Sequence, residues 1–198
     1  MNNGSSPALI GVIVGGALTL AVQVILELIR DARKTEQLSH AIAGEINALL
    51  EIVAARQYVE AINQFSYAAT QGGNEVLKIH IENKYFSVIE ANLQNIGMLP
   101  VELPLLIPRF LTLSKSALED ISAMNQGAWD AMSPPELVRM YNGLGRVIEA
   151  AMQTGRDIVS LIAMLYGSPH GRYPVGVRIK MLRVKFLGKK GRPERGPG

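Results

Sequence analysis

The longest apolar run lies near the N-terminus. Residues 8–26 pass without a single charge, and Thr19 and Gln23 are their only clearly polar members. A hydrocarbon core about 30 Å thick needs about 20 apolar helical residues, so 8–29 is long enough to span a bilayer. A helix buried in a soluble core ordinarily keeps a polar face, and this one has none. The pattern predicts a transmembrane helix at 8–29. Past it, Leu38, Ile42, Ile46, Leu49, Val53, Val59, Ile62 and Phe65 recur three or four apart for the most part. That spacing predicts one helix over 35–70, continuing from the span as a stalk and stopping at Gln71-Gly72-Gly73-Asn74.

Residues 76–81 (VLKIHI) alternate enough to predict an extended segment, too short to establish a sheet. Over 83–96, Tyr85/Phe86, Val88/Ile89, Leu93 and Ile96 return to helical spacing, with Gly97 placed as a C-terminal glycine stop. Pro100, Pro104 and Pro108 follow, so a new helix begins among them, proline being tolerated in a first turn. Its buried stripe is Phe110, Leu113, Ala117, Ile121 and Met124. Residues 125–132 read as a loop. Ser133-Pro134-Pro135-Glu136 then combines a capping serine, a first-turn proline and an acid three residues on, which together make a capping box. The stripe beyond it runs to Leu165 and stops at Gly167-Ser168-Pro169, a helix of about 45 Å. Within it, Gly143 and Gly145 are expected to let helices pack closely.

These elements predict an all-α protein in four stretches. Residues 1–7 form a short extracytoplasmic N-terminus and 8–29 the transmembrane helix. Residues 30–170 form a cytoplasmic antiparallel helical bundle, and 171–198 an extended or disordered basic tail. No internal repeat suggests a solenoid.

Charge sharpens this division. The net charge is only +3, yet 35–170 carry 8 basic and 14 acidic residues, while 171–198 carry 9 basic residues against the single Glu194. The N-terminal run does not read as a cleaved signal. Residues 1–7 lack a positive charge, the run is too long for an h-region, and no A-x-A site follows. Arg30, Arg33 and Lys34 come after the span, so the positive-inside rule puts the C-terminal body in the cytoplasm, in a bacterial inner membrane. Gly11 and Gly15 form a G-x-x-x-G pair that favours a homodimer or oligomer through close helix approach.

Two segments, KYFSVIEANLQNIGMLP (84–100) and RFLTLSKSALEDI (109–121), are the most distinctive of the body. Together they resemble a family of uncharacterised bacterial proteins with one N-terminal membrane helix and a cytoplasmic helical domain. The resemblance implies this architecture and brings no activity or functional residue.

Chemistry is sparse. With no cysteine, disulfides, thiolate metal sites and cysteine nucleophiles are excluded. His40, His80 and His170 are scattered, and no H-E-x-x-H or Glu-x-x-His pair appears. Phosphate-binding loops, dinucleotide fingerprints and the G-x-S-x-G elbow are all missing. Glu119 and Asp120 are adjacent, hence divergent on a helix, and read as a solvated face. Asn92 and Asn95 are expected to bond local backbone. No cofactor and no catalysis are expected, an enzyme of unrecognised type being the third alternative.

The tail invites anions. Arg178, Lys180, Arg183, Lys185, Lys189 and Lys190 are the candidate contacts. Anionic lipid headgroups are the nearest partner, each such cation near the surface contributing about 1 kcal/mol. Nucleic acid is the alternative, because Lys190-Gly191-Arg192-Pro193 resembles the Arg-Gly-Arg-Pro core of an AT-hook, though Glu194 stands where that motif wants a base. A third possibility is docking of the tail's apolar half on the bundle or on a partner's strand edge. The expected role is a membrane-anchored interaction or scaffold protein, its protein partner unspecified.

Overall fold

A computed structural model describes residues 6–81, 85–100 and 102–167, with side chains from residue 15 onward. Among the described residues the regular structure is entirely helical, with no strand. They fall into two compact units that divide between Ser39 and His40, and helix α1 (Ser6–Ala55) contributes to both.

In the second unit Ile42 and Ile46 of α1 are fully buried. The single helix expected over 35–70 is interrupted. α1 ends at Ala55, Gln57 takes a left-handed conformation (φ 52°), and α2 (Tyr58–Thr70) resumes directly. No glycine or proline marks this break, because the hydrophobic period continues across it. Both helices run antiparallel to the last helix, α5 (Pro134–Tyr166). The His40 ring lies 6.0 Å from that of Tyr166, and a Cβ on Gly145 would stand 3.7 Å from Ile62. Ser66 Oγ donates to Asn142 Oδ1 at 2.9 Å. The kink lets two helices follow one long partner, since a straight helix drifts off another that crosses it.

Gly72, at φ +87°, turns the chain out of α2 as only glycine does readily. Residues 74–81, within which 76–81 were expected to be extended, form no regular secondary structure, and their backbone pairs with side chains. Tyr141 Oη accepts the Leu77 N–H at 2.9 Å. Asn125 accepts the Ile79 N–H through Oδ1 at 3.0 Å and donates Nδ2 to the Ile79 carbonyl at 2.6 Å. Lys78 Nζ donates to the Met124 carbonyl (2.9 Å) at the end of α4 and pairs with Asp130 (3.1 Å). Buried backbone groups need such partners.

The helix expected over 83–96 is shorter and split. α3 covers only Ser87–Ala91, and a 3₁₀ helix follows at Leu93–Met98. Gly97 lies inside that 3₁₀ helix and does not cap anything. Asn92 Nδ2 bonds the Val88 carbonyl at 2.8 Å, the local backbone bond expected of it. Glu45 organises the start of α3: its carboxylate accepts from Ser87 Oγ (3.1 Å) and from the Val88 and Ile89 N–H groups (both 2.9 Å).

α4 (Leu103–Asn125) starts among the prolines, with Pro104 in its first turn and Pro108 inside. Its buried face is Leu103, Ile107, Phe110, Leu111, Ala117, Ile121 and Met124, so the expected stripe loses half-buried Leu113 and gains Leu111 with Leu103 and Ile107 before it. α4 packs on α5, as α2 does. The turn between α4 and α5 is more than a loop. Trp129 is 2% exposed there, its ring 5.4 Å from that of Tyr141, and belongs to the core with Ile62, Ile121 and Leu144. The Ser133–Glu136 capping box is present, and α5 ends at Gly167 (φ +81°).

The close-packing glycine of α5 is not Gly143, where a Cβ would meet nothing within 4 Å, but Gly155. A Cβ there would lie 3.0 Å from Phe110, 3.1 Å from Ile46 and 3.4 Å from Leu50, so α1, α4 and α5 converge at this point.

Candidate functional site

Two places on the molecule are not accounted for by ordinary folding. The first is the exposed part of α1. Residues 15–34 are exposed on every face of the helix. Leu18, Leu20, Val22, Val24, Ile25, Leu26, Leu28 and Ile29 range from 46 to 66% exposed. In water this surface would be costly at about 25 cal/mol per Å². Its backbone is satisfied within the helix, and Thr19 Oγ1 donates to the Gly15 carbonyl at 2.9 Å, so the polar residue needs no outside partner. This helix is long and apolar enough to cross a membrane. Gly11 and Gly15 lie four apart on α1 and so share a face. A Cβ at Gly15 would meet nothing within 4 Å.

The second is a cavity of about 90 Å³ in the second unit, between α1, α4 and α5. Phe86, Phe110, Ile121, Ile148 and Ala151 wall it and are buried, whereas Leu49, Val53, Tyr58, Ser114 and Met152 are half-buried at its open side. Among the described residues no charged side chain borders it. Phe86 is the strained member. Its φ of 72° is left-handed, its ring packs 6.0 Å from that of Phe110, and Glu45 secures the residues just after it.

The titratable groups with shifted acidity do not converge on this cavity. Burial pushes the Tyr141 hydroxyl up, opposed by its bond to the Leu77 N–H. Burial raises Asp120, with adjacent Glu119 adding repulsion, so Asp120 is half-buried and only Glu119 belongs to the solvated face expected for both. Hydrogen bonds from the Ser133 hydroxyl and N–H lower Glu136, as its capping role requires. His80 is exposed, and its carbonyl accepts from Arg56 Nη1 (3.2 Å) and Tyr58 Oη (3.4 Å). Among the described residues no three His, Asp or Glu side chains cluster to hold a metal.

Of the residues singled out from sequence, Gly11 and Gly15 sit together on α1. Arg178, Lys180, Arg183, Lys185, Lys189, Lys190 and His170 lie outside the described residues. The cavity itself had no signature in the sequence, since its walls come from segments up to about 100 residues apart. Comparison with family models, curated proteins and solved structures finds no match. The resemblance seen in 84–100 and 109–121 gains no support from them.

Proposed function

We propose that this chain is a membrane-anchored helical interaction or scaffold protein with no catalytic role. One observation carries the reading: a helix whose large aliphatic side chains are exposed on all faces over 15–34. Lipid is the solvent that suits such a surface. In this reading 8–29 span a bacterial inner membrane, with Arg30, Arg33 and Lys34 on the cytoplasmic side. Helices of the second unit form an antiparallel bundle in the cytoplasm, and Gly11 and Gly15 pair two copies. The tail, 171–198, meets anionic headgroups through Arg178, Lys180, Arg183, Lys185, Lys189 and Lys190.

The absence of cysteine makes the test direct. Ser5→Cys and Ser168→Cys are exposed separately, in intact cells, to a membrane-impermeant thiol reagent. The expected result is labelling at position 5 only. Labelling at 168 only reverses the orientation, and labelling of neither after outer-envelope permeabilisation refutes the span. The Lys190-Gly191-Arg192-Pro193 sequence supports a second reading, nucleic-acid binding through the same tail, which predicts affinity falling steeply with salt and vanishing without 171–198.

A further inference from the structure

The cavity between α1, α4 and α5 has three properties that belong together. At about 90 Å³ it is a little over half the ~150 Å³ of an apolar cavity that accepts benzene, so it suits a short linear group better than a ring. Its border is hydrocarbon and aromatic apart from three hydroxyls, those of Tyr58, Tyr85 and Ser114. Tyr58 Oη is already engaged, accepting from Arg56 Nη1 at 2.9 Å and lying 3.4 Å from the His80 carbonyl. The hydroxyls of half-buried Ser114 and Tyr85 make no hydrogen bond to another described residue. A helical serine commonly bonds back to the carbonyl four residues earlier, as Thr154 does to Ala150 at 2.8 Å. Finally, the wall contains Phe86 in a left-handed conformation, an outlier for a bulky residue. Such strain persists where its surroundings over-determine it, and it concentrates at sites that hold ligands.

From these we infer that the cavity binds a small uncharged aliphatic molecule, or chain end, of about four carbons bearing one oxygen that hydrogen-bonds Ser114. Among the described residues the lining offers no partner to a carboxylate or ammonium, and burying either there without one is prohibitive. The inference stands independently of the membrane reading, since every residue it uses lies in the second unit.

The test uses the full chain in lipid nanodiscs, carbon-13 labelled at the methyl groups of isoleucine and methionine. Ile52, Ile121, Ile148 and Met152 border the cavity and report on it, while Ile96 on the 3₁₀ helix is the control. 1-Butanol, butyrate and butylammonium are titrated separately, and xenon gas serves as a probe without oxygen. The expected result is saturable shifts of the bordering methyls with 1-butanol, half-complete at about 1 mM, and at least ten-fold weaker effects of both ions. Ser114→Ala weakens 1-butanol roughly two- to ten-fold and leaves the xenon shift unchanged. Ala151→Leu, which fills the space, removes both. Bordering methyls unmoved by 1-butanol and xenon in the unaltered chain overturn the inference, as do butyrate binding equal to 1-butanol or shifts spread equally to Ile96. An unchanged 1-butanol response in Ser114→Ala overturns the role of that hydroxyl.

Discussion

Gly155 and Gly143 lie on the same helix, α5, and replacing each by alanine should move stability in opposite directions. Alanine is preferred over glycine in a helix interior by about 1 kcal/mol. At Gly143 a Cβ meets nothing within 4 Å, so Gly143→Ala should gain that full amount. At Gly155 the same gain competes with contacts at 3.0 Å to Phe110 Cε2, 3.1 Å to Ile46 Cγ2 and 3.4 Å to Leu50 Cδ2. Phe110 and Leu50 border the cavity and can shift a few tenths of an ångström into it. Ile46 is fully buried and does not border it, so it cannot yield the same way. Overpacking of this kind costs about 1–3 kcal/mol, so Gly155→Ala should be about 1 kcal/mol less stable than the parent and about 2 kcal/mol below Gly143→Ala. Trp129, the only tryptophan and 2% exposed, reports unfolding of the second unit by fluorescence in a denaturant titration of the nanodisc-embedded chain. Midpoints should separate without a change of slope. Equal stabilisation by the two alanines would refute the close approach of α1 and α4 to α5 at Gly155.

Other perturbations follow from the same contacts. Asn125→Ala leaves the N–H and C=O of Ile79, which is 5% exposed, without partners and should cost about 2–4 kcal/mol in the same titration. Tyr141→Phe removes the acceptor for the Leu77 N–H and a long bond to the Glu75 carbonyl (3.5 Å) and should cost about 1 kcal/mol, so the reverse ranking would contradict the description of 74–81. Ala151→Leu should stabilise by about 1 kcal/mol, within the limit of about 2 kcal/mol that a 90 Å³ void sets at ~24 cal/mol per Å³. Glu136 is held below its ordinary carboxylate range by Ser133, so its charge favours the folded state. That contribution is complete above the unfolded value near 4.5 and is lost as pH falls through the lower folded value. Glu136→Gln should therefore be less stable than the parent at pH 7 and converge with it in acid. A difference constant down to pH 2 would contradict the ionic capping box.

Local chemistry and tertiary packing divided the task unevenly. The uncharged apolar run at 8–26, the Ser133–Glu136 start of α5 and its stop at Gly167 were legible in the chain, because a helix's length and ends depend on residues within one or two turns. The partners of the segment 74–81 were not legible. Asn125 and Tyr141 reach it across 46 and 64 residues, and no spacing rule connects them. The break at Gln57 escaped the hydrophobic period because the period is equally satisfied on both sides; only the need of α1 and α2 to follow α5 places it. In the same way a glycine reads identically at 143 and 155 until a third helix arrives at one of them. The cavity is the extreme case. Its walls come from four helices and the strained turn at Phe86, and a space between side chains exists only after the chain has closed around it.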